Sequence, residues 1–516
     1  MTILSRLAIP PLAFRLGLLA LCLLSVPSMA EAPSASLPVP SMEASLGPLT
    51  EGKAWRNSLS GAQFVDVNSG TEVFARAPDR PLIAASTTKV LTSAAALKNL
   101  GPSYKFTTDL YVDGVLDGAG TLHGNLYVQG HGDPSFVVER MWKLIHDLHR
   151  DGVERVDGDV IFDDSFFQGP PQLVGWDKAK DVEEGPSYFA TMGALSLNFN
   201  TVTLVVRPGP KVDGPAIVAL DTPVSGYVEL VNTVKTGPET AHRRLTVTRE
   251  PSDGMLRFTV DGTVPAGADA VSIYRTVEDP TAHFIGAFMA MLGEQGVRLT
   301  GHARQGRVPT TARLVEQSVS PPLAAVLMDM NKYSNNFMAE QVLRTMGAES
   351  DTADGTTEGG LKVVQAYLAQ LRLPDDSYHL VNGSGLSRDA LISPSVLTAV
   401  LLDMAQDPRV GAEFRSSLAI AGADGTLRSR LRDEPARLRG KTGTIDGVHG
   451  LVGYMEAADG RLLAFALLSN DVKGGIAGIK QVHDAMARRV FGLNVGAEAV
   501  VEGDDAAESD GGKESP

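Results

Sequence analysis

Ser86 and Lys89 stand three residues apart in the line Ala84-Ala85-Ser86-Thr87-Thr88-Lys89-Val90-Leu91-Thr92-Ser93-Ala94-Ala95-Ala96-Leu97. The residues after Ser86 are small, apolar or good helix formers and read as a helix that buries one face. Positions three apart share a side of a helix, so the hydroxyl and the amine can meet. A serine there can attack a carbonyl, and a buried lysine with a lowered pKa can take its proton. A lone Ser-x-x-Lys is common by chance and more often an N-cap serine followed by a solvated lysine. Two downstream strings change that weighting: Tyr333-Ser334-Asn335-Asn336 and Arg439-Gly440-Lys441-Thr442-Gly443-Thr444.

Ser-x-x-Lys, Ser-x-Asn and Lys-Thr-Gly, in that order, resemble the signature of penicillin-recognising serine acyl-transferases. The resemblance makes Ser86 the nucleophile and Lys89 its base. It makes Ser334 a proton relay between Lys89, Lys441 and the leaving amine, and Asn336 a partner of the substrate backbone. Lys441 and Thr442 would hold a C-terminal carboxylate. Gly443 would let substrate lie close to the strand, and the backbone N–H groups of Ser86 and Thr444 would form the oxyanion hole.

Tyr333-x-Asn335 also fits the Tyr-x-Asn of class C β-lactamases. Those enzymes lack a long insertion between the first two motifs, whereas Ser86 and Ser334 are 248 positions apart here. The insertion favours Ser334 and Asn336. The Glu-x-x-Leu-Asn string of class A β-lactamases is not found. The chain as a whole is similar to low-molecular-mass class C penicillin-binding proteins, the D-alanyl-D-alanine carboxypeptidase/endopeptidases, from about residue 50 to 492. Further points of likeness are Gly124-Asn125-Leu126-Tyr127-Val128-Gln129-Gly130-His131-Gly132-Asp133-Pro134-Ser135, Asp163 to Phe167, Ala194 to Asn198, and Asn382 to Arg388 with Ile392-Ser393-Pro394. The family usually has Asp at position 382 and Gly at position 131. The resemblance implies removal of the terminal D-Ala from peptidoglycan stem peptides and hydrolysis of their cross-links through a Ser86 acyl-enzyme. β-Lactams would be inhibitors, and no cofactor or metal would be needed.

The elements that must position these residues read as a mixed α/β (α+β) architecture. Residues 50–75 read as strands, and a hairpin within them, Ser58–Val67 and Glu72–Phe74 about Asn68-Ser69-Gly70, leads into the Ser86 helix. Strands with Gly turns follow from about Tyr104. An amphipathic helix covers Phe136–His149, and β-rich sequence resumes at Gly158–Phe162, Thr201–Arg207 and Tyr227–Tyr274. Helices dominate over Pro280–Gly293, Leu323–Met346, Glu358–Leu371 and Ser393–Met404. Arg461–Asn470 reads as a buried strand and Gly478–Phe491 as a helix on the core. A catalytic unit of residues 31–101 and 317–495 thus brackets a mostly β insertion, 102–316, long enough for two nested domains.

Residues 1–30 read as a signal peptide. Arg6 and Arg15 precede or flank the apolar run Leu16–Val26, and Ser28-Met29-Ala30 offers a cleavage site. Cys22, the single cysteine, lies within that run. The formal charge of −15 becomes −17 once Arg6 and Arg15 are removed, which argues against nucleic acid or an anionic membrane as partner. The tail 496–516 is acidic, has no aromatic residue and reads as disordered. With no further apolar run of membrane-spanning length, the expectation is a periplasmic protein.

Other groups invite weaker readings. His123, His131, His146 and His149 fall in one region, with a solvated helix face favoured over a metal site. Asp163-Asp164 reads as turn chemistry rather than a cation site. His449 either lines the cleft or sits in a loop before the next strand, and Lys332 is expected to face solvent. Gly383-Ser384-Gly385 lacks the Lys-Ser or Lys-Thr of a phosphate loop. Two rival functions remain open to the sequence: a β-lactamase or esterase on the same scaffold, and a catalytically quiet cell-wall scaffold.

Overall fold

A computed structural model describes residues 41–172, 185–222 and 226–492. The signal peptide and acidic tail read from the sequence lie outside the described residues. Leu462–Asn470 runs through the middle of a six-stranded antiparallel sheet ordered Glu72–Arg76, Leu59–Asp66, Leu462–Asn470, Val448–Glu456, Leu438–Ile445, Ala419–Ile420. Its sequence, Leu-Leu-Ala-Phe-Ala-Leu-Leu-Ser-Asn, is apolar almost throughout because both faces of the sheet are covered. Helices Met42–Thr50 and Ala477–Val490 cover one face, where Phe64 packs between Phe74 and Phe465. Helices Lys89–Asn99, Leu323–Lys332, Asn336–Ala348, Thr357–Gln370 and Pro394–Gln406 contribute to the core on the other.

Two local readings change. Strand structure begins at Leu59, and Lys53–Arg56 before it is a short helix. The helical stretch from Leu323 is broken at the second motif: Tyr333 ends one helix, Ser334 has φ +60°, and Asn335 caps the next by accepting from Met338 N at 2.9 Å.

Between these helices the chain forms two further cores. In one, the sheet Ala303–Gln305, Val160–Asp163, Leu126–Gly130, Thr107–Val112, Arg313–Val319 packs with helices Val138–Arg150 and Pro280–Glu294 around Phe136, Phe162, Phe284 and Phe288. In the other, Thr201–Arg207 with its two neighbours faces Met255–Pro265 with its three, around Leu204, Phe258 and Val260. Among the described residues no helix is long and apolar enough to cross a membrane.

Candidate active site

Ser86 stands in a one-turn 3₁₀ segment, Ala85–Thr88, that opens the helix Lys89–Asn99. Ala85, buried directly before it, has φ +47°, a left-handed conformation that costs a non-glycine residue free energy and lifts Ser86 to the half-buried edge of the site. The helix behind is buried on all sides from Lys89 to Leu97, not on one face as its composition suggested. Ala94, Ala95 and Ala96 let neighbouring helices close around it, and an alanine-rich run carries no periodic signal of that burial.

Lys89 is wholly buried and its Nζ has three partners: Ser86 Oγ at 3.0 Å, Asn336 Oδ1 at 2.7 Å and Ser384 O at 2.8 Å. Two of these, the amide oxygen and the carbonyl, can only accept. A neutral amine has two N–H groups. With both directed at those acceptors, its lone pair is left for the Ser86 hydroxyl. Burial pushes Lys89 down to about 7, against the pull of the Glu340 carboxylate, which works to keep it charged.

The second and third motifs meet at Lys441. This side chain is also fully buried, and its Nζ donates to Ser334 Oγ and to Thr442 O, each at 2.8 Å. Burial first, and the Lys89 charge second, hold Lys441 well below the usual lysine range. Ser334 is thus tied to Lys441, while Lys89 reaches the motif through Asn336. Asn336 Nδ2 donates to Tyr188 O at 3.1 Å, which brings the inserted segment to the edge of the site. Thr442 Oγ1 donates to Thr426 Oγ1 at 2.8 Å, and Thr444 Oγ1 contacts His449 Nδ1 at 3.0 Å. A Cβ on Gly443 would stand 2.7 Å from Ala84 O and 3.1 Å from Thr87 N. The missing side chain therefore lets this strand lie against the Ser86 turn.

Residues the motifs did not reveal complete the setting. Glu340 lies one turn after Asn336 on the same helix, and its carboxylate accepts from Gly383 N at 3.0 Å and Ser384 N at 2.7 Å. It braces the loop whose carbonyl holds Lys89. Burial pushes Glu340 up, opposed by those N–H groups and by Lys89. Gly385 has φ +78°, and a Cβ there would collide with Ala85 O and Thr88 Oγ1. Gly383-Ser384-Gly385 is therefore a wall of the lysine site. Asn382 Oδ1 turns that wall by accepting from Gly385 N at 2.9 Å. Further along the Asn336 helix, Gln341 donates to Gly193 O at 2.9 Å and Arg344 to Pro170 O at 2.8 Å, fastening the inserted segment. Glu340 gave no sequence signal because it acts through a loop, and Ser384, though within a string of family likeness, acts through its backbone carbonyl, which no residue type marks.

The remaining candidates lie outside the network of Ser86, Lys89, Asn336, Ser334 and Lys441. Tyr333 is 63 % exposed and Asn335 is spent on its helix cap, so this corner has no Tyr-x-Asn relay geometry. Lys332 does not face solvent, because it pairs with Asp424. His449 is a buried strand residue rather than a loop one. His123 bridges Asp117 and Asp157, His131 meets Thr107, His146 stacks on Trp142, and His149 bonds Val153 O. Asp163 accepts from Ser165 N and Val308 N, and Asp164 from Thr281 Oγ1.

The family model described as D-Ala-D-Ala carboxypeptidase 3 (S13) matches residues 43–490. The chain belongs to this family. It is 31 % identical over 479 residues to the D-alanyl-D-alanine carboxypeptidase of Actinomadura sp. (strain R39), covering 90 % of this chain and 86 % of that protein. It is 25 % identical to D-alanyl-D-alanine carboxypeptidase DacB of Haemophilus influenzae over 76 % of this chain and 81 % of that one. The fold is shared with the crystal structure of penicillin binding protein 4 (dacB) from H. influenzae. The TM-score is 0.74 at 22 % identity, over 87 % of this chain and 98 % of that one. Membership of the S13 family makes the chain a serine-type hydrolase.

Proposed function

We propose that this S13 protein is a D-alanyl-D-alanine carboxypeptidase and peptidoglycan endopeptidase that works through an acyl-enzyme on Ser86. The observation that carries the reading is Lys89 Nζ at 3.0 Å from Ser86 Oγ, with its two remaining N–H directions engaged by Asn336 and Ser384. Neutral Lys89 takes the Ser86 proton as Oγ bonds to the carbonyl carbon of the penultimate D-Ala. The oxyanion is held by the backbone N–H groups of Ser86 and Thr444. The C–N bond then breaks. Ser334 gives its proton to the leaving amine and is resupplied by the Lys441 ammonium beside it. The burial that lowers the pKa of Lys441 makes it a readier donor. Water attacks the ester, its proton returns through Ser334 to Lys441, and Lys89 reprotonates Ser86. The side-chain amide of Asn336 keeps one N–H for the substrate backbone. Lys441, Thr442, Gly443 and Thr444 form the strand along which the C-terminal residue lies.

The same reading takes peptidoglycan stem peptides as substrates and β-lactams as acylating inhibitors of Ser86. It places residues 31–101 and 317–495 in one catalytic unit, with 102–316 inserted as two units, in keeping with the two separate cores of that segment. Export to the periplasm rests on the leader-like composition of residues 1–30. The test is incubation of the protein with a stem pentapeptide ending in D-Ala-D-Ala. Release of one D-Ala and a tetrapeptide, seen by mass spectrometry, is the expected result. An intact pentapeptide alongside cleavage of simple esters would refute the reading.

A further inference from the structure

Beneath the third motif lies a buried polar row that the reaction above does not use. His449, 2 % exposed, is the cross-strand partner of Thr444, and its Nδ1 lies 3.0 Å from Thr444 Oγ1. On its other side Nε2 faces Arg430 Nη1 at 3.5 Å. Arg430 is itself 5 % exposed and fixed by a fork to Asp484, with Nε at 3.1 Å and Nη2 at 2.6 Å from Oδ1. The His449 ring lies 5.3 Å from that of His483, whose Nε2 is held by Ser469 Oγ at 3.2 Å.

Hydrogen-bond capacity then decides which nitrogen carries the proton. A guanidinium offers only N–H groups. The 3.5 Å separation is long for a hydrogen bond, but a proton on Nε2 would still point at a cation. Nε2 is therefore the acceptor, and Nδ1–H donates to Thr444 Oγ1. Burial first, then Arg430 and Lys480, push His449 down to about 3, so the ring stays neutral across ordinary pH. With one lone pair of Thr444 Oγ1 taken by His449, the single hydroxyl proton of Thr444 must find an acceptor elsewhere. Thr444 is exposed on a stretch of strand whose outer neighbour, Ala419–Ile420, pairs only with Gly440 and Arg439. The open edge beside Lys441–Thr444 is where substrate lies.

We propose that His449, held in one tautomer by Arg430, is a positioning residue that turns the Thr444 hydroxyl proton toward the C-terminal carboxylate of the substrate. This inference rests on the acyl-transfer reading of the site and adds a device for carboxylate selectivity. Benzylpenicillin carries the corresponding carboxylate, and its methyl ester lacks the charge. The experiment measures second-order acylation of Ser86 by both compounds.

In His449→Leu the ratio of the benzylpenicillin rate to the methyl ester rate falls about tenfold, the scale of one hydrogen bond to a charged group. His449→Asn, whose amide N–H can stand near the place of Nδ1, restores most of the ratio. Thr444→Val lowers the ratio equally, and adding His449→Leu to it lowers the ratio no further. Equal losses with both compounds, an Asn variant as poor as Leu, or additive losses in the double variant would overturn the role of His449. Should His449→Leu not fold, the ratios in His449→Asn and Thr444→Val still decide. Failure of benzylpenicillin to acylate Ser86 in the unaltered protein would instead overturn the acyl-transfer reading.

Discussion

Replacing Glu340 by Gln removes the one carboxylate that opposes desolvation at Lys89. In the structure burial lowers Lys89 to about 7 while Glu340 pulls the other way. Only neutral Lys89 can take the Ser86 proton. Acylation should therefore rise with pH through a midpoint near 7. A neighbouring carboxylate favours the ammonium, so its loss lowers the pKa. An opposite charge acting on a buried amine is worth about one unit or more. A one-unit fall moves the free-base fraction at pH 6 from about one-tenth to about one-half. The plateau at high pH falls, because the base is weaker and because the Gln amide turns an N–H toward one of the two loop donors, at a cost of about 1–3 kcal/mol. The assay is the rate of acylation by a fluorescent penicillin between pH 5 and 9, with thermal unfolding as a check on the fold. A lowered plateau with an unmoved midpoint would make Glu340 a structural brace only, and an upward shift would contradict the electrostatic reasoning.

Gly385→Ala should prevent the lysine wall from seating. Its positive φ and the collision with Ala85 O and Thr88 Oγ1 together cost about 3 kcal/mol or more, visible as a large fall in melting temperature. A variant as stable as the parent would show that the loop does not pack on the Ser86 turn. Tyr333→Phe should leave acylation within about twofold, because the side chain is 63 % exposed and outside the Lys89–Asn336 network. A loss of a hundredfold would restore the tyrosine as proton relay.

The strings Ser86–Lys89, Ser334–Asn336 and Lys441–Thr444, which the structure brings together, stood out because each is short and contiguous, although the second spans the break between two helices. The central strand was legible for a related reason: Leu462–Asn470 is buried on both faces and its apolar run says so. Glu340 was not, because its effect passes through Gly383 and Ser384, residues more than 40 positions away that use backbone N–H groups any sequence possesses. Lys332 looked like a solvent lysine because its partner, Asp424, comes from the far side of the chain. His449 was left between cleft and loop. Its place was decided by the register that sets it opposite Thr444 and by Arg430 behind it.

Peptide mass mapping after incubation with a labelled penicillin tests the central claim most directly. The expected result is a slowly released adduct on Ser86 that is absent from Ser86→Ala. An adduct on another residue, or labelling that persists in Ser86→Ala, would contradict it.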